Sequence, residues 1–309
     1  MEDGDAINLR QFRYFLAVVD QGGVHRAADS LAVAQPSVSQ ALRSLEQDLG
    51  TSLFNRTGRT LTLTAAGEAI IPALREVMHG VDLARSLVDA VEGLQGGRLV
   101  ISSTPSQAAS PLAPLVGRFL KKHPGVQIVV KSAASRGDVI ASLREGGSEL
   151  GLMARSTSDA PPMDLAIQPL EVQNYLCVAK DPQELPSGGE LLPPEALFGA
   201  RLIVGQPGTG VRRAADLVLA GAPGSRIAVE IESREALLPL VLAGAGIAVV
   251  ADGFRAAAEA SGLTVRALDL PESLAVDLTH RPGPVSPAAR EFLSLARDWS
   301  SKPTPRNQG

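Results

Sequence analysis

The chain has 309 residues, 45% of them hydrophobic and 20% charged, with a formal net charge of −4. That length suggests about two domains, the composition fits an ordinary globular protein, and any affinity for nucleic acid must come from a local surface rather than from global charge. The single cysteine, Cys177, excludes an internal disulfide framework; it sits in the apolar run NYLCVAK, where core packing is expected. The acidic start MEDGD has no apolar h-region behind it, so secretion is not expected. No apolar run approaches the ~18 residues needed to span a bilayer, so a cytoplasmic protein without membrane contact is expected.

In chain order, the first helix is expected to begin after Asn8, a good N-cap, and to bury Leu9, Phe12, Leu16 and Val19. A second helix starts near Val24 after Gly22 and Gly23 and presents Ala27, Ala28 and Leu31. The two small alanines allow a close helix crossing, as a helix-turn-helix requires. Ala32, Val33 and Ala34 make the corner, Pro36 suits a first helical position, and Gly50 is a natural stop. Between them Val38, Ala41, Leu42, Leu45 and Leu49 form a buried stripe. Stepping ~100° per residue from Val38 places Pro36, Ser39, Gln40, Arg43 and Gln47 on the opposite face. This face is rich in neutral hydrogen-bonding groups, which match the donors and acceptors of major-groove base edges, although small polar residues on a short helix are commonly just solvated. A uniformly cationic face would grip phosphates without reading sequence.

The next stretch, FNRTGRTLTLT, reads as a hairpin with Thr57 and Gly58 at its tip, Arg56 and Arg59 beside it, and Leu61 and Leu63 alternating inward. A basic hairpin directly after a recognition helix is a wing for the minor groove or backbone. Thr64 then caps one long helix. Ile70, Leu74, Val77, Val81, Ala84, Val88 and Val91 recur 4 and 3 residues apart, an a/d seam that suits a coiled-coil partner. Packing on its own domain is the plainer explanation of the same spacing. Pro72 and Gly80 predict a bend. Pairing would place two readers on half-sites about 34 Å apart.

After the GLQGG break, strand-like and helix-like runs alternate, which argues an α/β fold with mostly parallel strands. Two halves share the order βαβαβ. RLVISS is followed by a helix near 107–122, VQIVV, a helix near 138–145 and ELGLMA; RLIVG is followed by a helix near 210–220, RIAVEI, a helix near 234–243 and GIAVVA. Two related lobes with a ligand cleft between strand ends and helix starts are expected, although two ordinary βαβ units without a shared ligand would give the same pattern. The tail SKPTPRNQG reads as frayed.

Enzyme readings fare poorly. GQPGTG has phosphate-loop spacing, but Val211 and Arg212 stand where Lys and Ser/Thr are needed. His25, His79, His123 and His280 are scattered, so no metal site is expected. In GAGIAVV a helix precedes and a strand follows, the reverse of a dinucleotide turn. A transport binding protein would explain the lobes but neither the reader nor the seam.

The segment LRQFRYFLAVVDQGGVHRAADSLAVAQPSVSQALRSLEQDLGTSLFNRTGRTLTLTAAG resembles the winged helix-turn-helix of LysR-type transcriptional regulators. The resemblance continues through LAPLVGRFLKKHPGVQIVV, LREGGSELGLMA, REALLPLVLAGAGIAVVAD and PVSPAAREFLSLARDW. It implies a sequence-specific regulator of the α/β class: a winged helix-turn-helix over 1–65, a dimerisation helix over 66–95, and a two-lobed periplasmic-binding-protein-like effector domain over 96–300. Lobe I would take about 96–172 plus 270–300 and lobe II about 173–269, with a tail at 301–309. Carried over by position, the base-contacting residues fall on Gln35, Pro36, Ser39 and Gln40, with Arg59 in the wing; Ser37, Arg43 and Arg56 complete the DNA-facing set. An arginine common in the family at the position of Gln40 is absent, which allows an adenine contact there. Gly23, Val24 and His25 replace the usual Ser-Phe-Thr, weakening that helix's cap. The effector positions are Ser103, Thr104, Pro105 and Ser106, then Ser135 and Arg136, then Gln206, Gly208 and Thr209. These are helix starts, which favour anions, so a small anionic metabolite is expected. The implied partners are double-stranded DNA, a second copy of the chain in a dimer or tetramer, and a small-molecule co-inducer. The resemblance also admits contact with RNA polymerase and requires no other cofactor.

Overall fold

The computed structural model describes residues 8–57, 60–91, 97–186 and 189–300. The chain divides into two compact units near Val88. Among the described residues no helix is long and apolar enough to cross a membrane.

In the first unit, α1 (Leu9–Gln21), α2 (Val24–Ser30) and α3 (Gln35–Asp48) pack around one apolar cluster that also takes Leu53, Phe54 and Leu74. Asn8 caps α1 as expected, in a capping box with Gln11. The buried face is rotated from expectation: Phe15, Leu16 and Val18 are buried, whereas Leu9 is 41% exposed. Leu9 is the first helical residue, so no preceding turn covers it. Gln11 is buried and donates from Nε2 to Ser44 Oγ at 2.9 Å and Asp48 Oδ2 at 2.8 Å, pinning α1 to α3. Ala27 and Ala28 are buried at the crossing, and α2 starts at Gly23 with no side-chain cap. At the corner, Ala32 takes φ 53°, a conformation uncommon outside glycine.

Strands β1 (Phe54–Thr57) and β2 (Thr60–Leu63) pair antiparallel, with Thr57 opposite Thr60. Thr57 therefore belongs to the ladder rather than the tip. Gly58 and Arg59 lie outside the described residues, as do the tail 301–309 and the side chains of Arg56 and Val91. Glu46 Oε1 accepts from the backbone N–H of Leu53 at 2.8 Å and of Phe54 at 3.2 Å, fixing the hairpin against α3. Helix α4 (Ala65–Val91) runs on through Pro72, with Thr64 Oγ1 accepting from Gly67 N at 3.0 Å. Its expected seam divides in two. Ile70 and Leu74 pack into the first unit's own core, while Val77 is 44% and Val88 70% exposed; Val81 is half-buried and Ala84 exposed.

In the second unit the strands are β3 (Arg98–Ser103), β4 (Gln127–Ser132), β5 (Leu150–Ser156), β6 (Ala166–Gln173), β7 (Tyr175–Ala179), β8 (Arg201–Gly205), β9 (Arg226–Ile231), β10 (Ile247–Ala251), β11 (Thr264–Ala267) and β12 (Leu274–His280). They form two five-stranded sheets, ordered β4-β3-β5-β12-β6 and β11-β7-β10-β8-β9. The βαβαβ halves are present, with parallel β4-β3-β5 and β9-β8-β10. The sheets are more mixed than expected. β12 returns antiparallel beside β5 and β6, and β7 antiparallel beside β10 and β11. The chain passes between sheets at Asn174 and again before Leu274, so one sheet is built from β7–β11 alone and the other takes back β12, which lies between β5 and β6. Strands β7 and β10 are buried at every position, as helices on both faces of a sheet require. Cys177 is in this core, where burial pushes its thiol pKa up.

The helix expected near 107–122 is interrupted. α5 (Pro105–Gln107) leads through a turn at Ala108–Leu112 into α6 (Ala113–Lys122), and Ser110 is extended at φ −153°, ψ 129°. Pro111 follows, and a residue before proline avoids the helical region. Helices α7 (Arg136–Arg144), α8 (Gly210–Gly221) and α9 (Leu237–Leu242) complete the halves, α9 being preceded by a 3₁₀ turn at Arg234–Ala236. α10 (Arg255–Ala260) and α11 (Pro287–Ser300) follow, and Phe292 of α11 packs 5.4 Å from Phe119 of α6.

Candidate functional site

Two surfaces carry the chemistry, one in each unit. On α3, Val38, Ala41, Leu42 and Leu45 are buried, and Gln35, Pro36, Ser37, Gln40, Arg43 and Gln47 are exposed; Ser39 is half-buried. Among the described residues the side chains of Gln35, Gln40 and Arg43 have no hydrogen-bond partner. The inner polar groups of the same helix, Ser44, Glu46 and Asp48, are all engaged by α1 or β1. One side of α3 is thus held rigidly while the other presents free amides and a guanidinium.

In the second unit a cavity of about 220 Å³ opens where strand ends of both sheets meet helix starts. Of the positions expected from sequence, Thr104, Ser106, Ser135, Arg136, Gly208 and Thr209 line it. Ser103, Pro105 and Gln206 do not. Ser103 ends β3 fully buried and donates to Thr104 O at 3.1 Å. Thr104, Ser106 and Gln107 face the cavity, so at ~100° per helical residue Pro105 is on the far side. Gln206 contributes a carbonyl, which accepts from Thr209 Oγ1 at 3.0 Å.

The hydroxyls here are occupied within the protein. Thr209 caps α8, its Oγ1 accepting from Arg212 N at 3.2 Å. Ser135 Oγ donates to Asp138 Oδ2 at 2.9 Å and accepts from Asp138 N at 3.2 Å, closing the start of α7. Thr104 Oγ1 and Ser106 Oγ both donate to Gln107 Oε1, Ser106 at 2.8 Å. Gln107 is 2% exposed and its Nε2 has no partner among the described residues.

Apart from Arg136, sequence reasoning missed the charged wall. Arg136 reaches Asp159 at 3.4 Å, and Arg213 reaches Asp159 at 3.6 Å and Glu272 at 3.7 Å. Arg155 pairs with Asp277 at 2.8 Å. Arg234 donates from Nη1 to Ser106 Oγ at 3.1 Å and has no carboxylate within ion-pair distance among the described residues. Burial pushes the Arg234 pKa down, with Glu235 opposing the shift. Tyr175, at the crossing beside this wall, has its phenol raised to about 12 by burial, with Arg213 lowering and Glu272 and Asp159 raising it. The signal for the arginines was legible. Arg136, Arg213 and Arg234 all stand in the opening turn of a helical segment, where the macrodipole disfavours cations.

Comparison with known proteins agrees with this architecture. Residues 9–68 match the family described as bacterial regulatory helix-turn-helix protein, lysR family, and residues 92–301 match the LysR substrate binding domain. The chain is 30% identical over 310 residues to the HTH-type transcriptional regulator IlvR of Caulobacter vibrioides, covering 96% of this chain and all 100% of that protein. It is 29% identical over 248 residues to the HTH-type transcriptional regulator CbbR of Rhizobium meliloti, covering 79% and 77% of the two chains. Among solved structures, full-length OxyR from Pseudomonas aeruginosa superposes with a TM-score of 0.72 at 21% identity, covering 95% of each chain. Full-length CbnR complexed with its target DNA gives 0.67 at 21% identity, covering 94% of this chain and 99% of that one. Both structures speak for the fold. The chain belongs to the LysR family of transcriptional regulators, DNA-binding proteins with a helix-turn-helix head and an effector-binding domain.

Proposed function

We propose that this regulator responds to a small anionic metabolite held in the cavity of its effector domain. Arg234 carries this reading: a half-buried guanidinium, lowered in pKa by desolvation against the opposing charge of Glu235, faces the cavity bonded to a hydroxyl and with no carboxylate within ion-pair distance among the described residues. A buried charge without a counter-ion is costly, and an anionic ligand removes that cost. Thr104, Ser106, Ser135, Arg136, Gly208 and Thr209 contribute to the same wall.

In the DNA-binding head, Gln35, Pro36, Ser37, Ser39 and Gln40 meet base edges, and Arg43 with the wing arginines Arg56 and Arg59 meets phosphates. The exposed part of α4, around Val77 and Val88, joins two copies, so that paired heads address paired half-sites. CbnR bound to its target DNA gives a precedent for the head. Ligand binding shifts the two lobes, and the oligomer passes that shift to the spacing of the heads. Such coupling requires unequal affinity for the two arrangements.

The test is thermal denaturation of the full-length protein with metabolite carboxylates and phosphate esters, matched neutral alcohols and matched amines. Ligands that bind the folded form raise its apparent stability with the logarithm of their excess over Kd. Only acids should raise the Tm, and Arg234→Gln should abolish the rise. A shift produced by alcohols or amines, or one retained in the variant, contradicts the reading.

A further inference from the structure

We infer that the effector is a short hydroxylated monocarboxylic acid, its carboxylate seated on Arg234 and the Gln107 amide. The inference rests on the anionic reading above and narrows it by two independent observations, charge balance and the direction of the hydrogen bonds.

Charge balance comes first. Four guanidinium groups face the cavity. Arg155 is paired with Asp277 at 2.8 Å. Arg136 and Arg213 share Asp159, at 3.4 and 3.6 Å, and Arg213 has Glu272 at 3.7 Å as well. Two arginines against two carboxylates leave that group neutral. Arg234 has only Ser106 Oγ, at 3.1 Å. Among the groups that line the cavity one positive charge is therefore in excess; Glu235, whose charge also acts on Arg234, is exposed and lies outside the lining. A dianion would bring an uncompensated negative charge into a half-enclosed space, and a phosphate ester, with about −1.5 to −2 at neutral pH, would do nearly the same. A monoanion fits.

The hydrogen bonds point the same way. The hydroxyl protons of Thr104 and Ser106 go to Gln107 Oε1, that of Ser156 to Glu272 Oε2, that of Thr209 to Gln206 O, and that of Ser135 to Asp138 Oδ2. These oxygens face the ligand as acceptors. Three donors remain unspent: the free nitrogens of Arg234, the Nε2 of Gln107, which is 2% exposed, and the Nε of Arg136, the last two without a partner among the described residues. Arg136 already has Asp159, while Arg234 and Gln107 meet at Ser106 Oγ. Buried donors left unpaired are costly, so an acceptor is expected there. A carboxylate supplies acceptors only, and hydroxyl groups further along the ligand supply the donors that the Ser and Thr oxygens can take. The cavity volume is about 220 Å³. That suits a small ligand.

Calorimetric titration of the full-length protein tests this with four chain-matched series. These are aldonates (glycerate, threonate, arabonate, gluconate), the unsubstituted fatty acids, the corresponding aldarate diacids, and the neutral alditols. The best aldonate should bind at least tenfold tighter than its fatty acid, its diacid and its alditol. Gln107→Glu, which places a carboxylate beside Arg234, should weaken it at least tenfold, as should Arg234→Gln. The rank order in the wild-type protein stands whether or not the variants fold, and their urea midpoints, followed through Trp299, show whether they do. A fatty acid or diacid that binds as tightly as the aldonate, or no binding in any series, overturns the inference. If acids still lose affinity in Arg234→Gln, the anionic reading survives that outcome. An alditol as tight as its aldonate sinks both.

Discussion

Arg155 Nε lies 2.8 Å from Asp277 Oδ2, and the Asp277 side chain is 1% exposed. The pair joins neighbouring strands: Arg155 stands on β5 opposite Ala275 of β12, two residues before Asp277. Arg155 also donates to Asp159 O at 2.8 Å, so one side chain ties the returning strand to the loop that carries the cavity's own carboxylate. Removing one member of such a pair leaves a buried charge, at a cost of about 3–5 kcal/mol. Arg155→Met should destabilise the lobe by about 3 kcal/mol in urea, and the double variant Arg155→Met/Asp277→Leu should recover most of that loss by coupling. Trp299, the one tryptophan of the chain, bonds to Glu171 at 3.0 Å in this lobe and reports its unfolding. A single variant within about 1 kcal/mol of wild type would contradict the assignment.

Gly67 governs the other unit. A Cβ there would stand 2.2 Å from Leu53 O and 2.9 Å from Leu63 Cδ2. The first obstacle is backbone and cannot swing aside. Overpacking of this kind costs about 1–3 kcal/mol or more. Gly67→Ala should lower the stability of the head by at least about 2 kcal/mol, reduce duplex binding, and leave acid binding in the effector domain intact. Unchanged duplex affinity would contradict this account of how α4 seats on the hairpin.

The divided seam of α4 makes a third prediction. Leu74, 4% exposed, serves the head's own core, while Val77 and Val88 are 44% and 70% exposed. Val77→Asp/Val88→Asp should leave the head folded and move the protein toward monomer in sedimentation at micromolar concentration. Leu74→Ala should instead cost about 2–5 kcal/mol of stability. An unchanged oligomer in the double aspartate variant would place the subunit contact elsewhere.

Much of this architecture was legible in the sequence, and the losses have physical causes. Helix periods and β-rich runs located both βαβαβ halves because those signals are local. The antiparallel returns of β7 and β12 were not visible, since a short apolar run carries no strand direction. The α1 stripe was placed on Leu9, Phe12, Leu16 and Val19, although Phe15 and Val18 are the residues in the core. Neighbouring apolar positions on a short helix leave its rotation to be decided by what packs on it. At the cavity the capping hydroxyls were found, being tied to helix starts. Arg155, Asp159 and Asp277 come together only through long-range strand pairing. Arg234 was overlooked despite its unfavourable position at the start of a helical segment.

The central claim for the head is that α3 reads bases through neutral side chains, and selection from a random duplex pool at physiological salt tests it most directly. Wild type should yield a two-fold symmetric consensus. Gln40→Ala should bind its best sequence roughly 1–3 kcal/mol more weakly and lose preference at one position in each half-site, with the other positions unchanged. An identical consensus from the two proteins would contradict it.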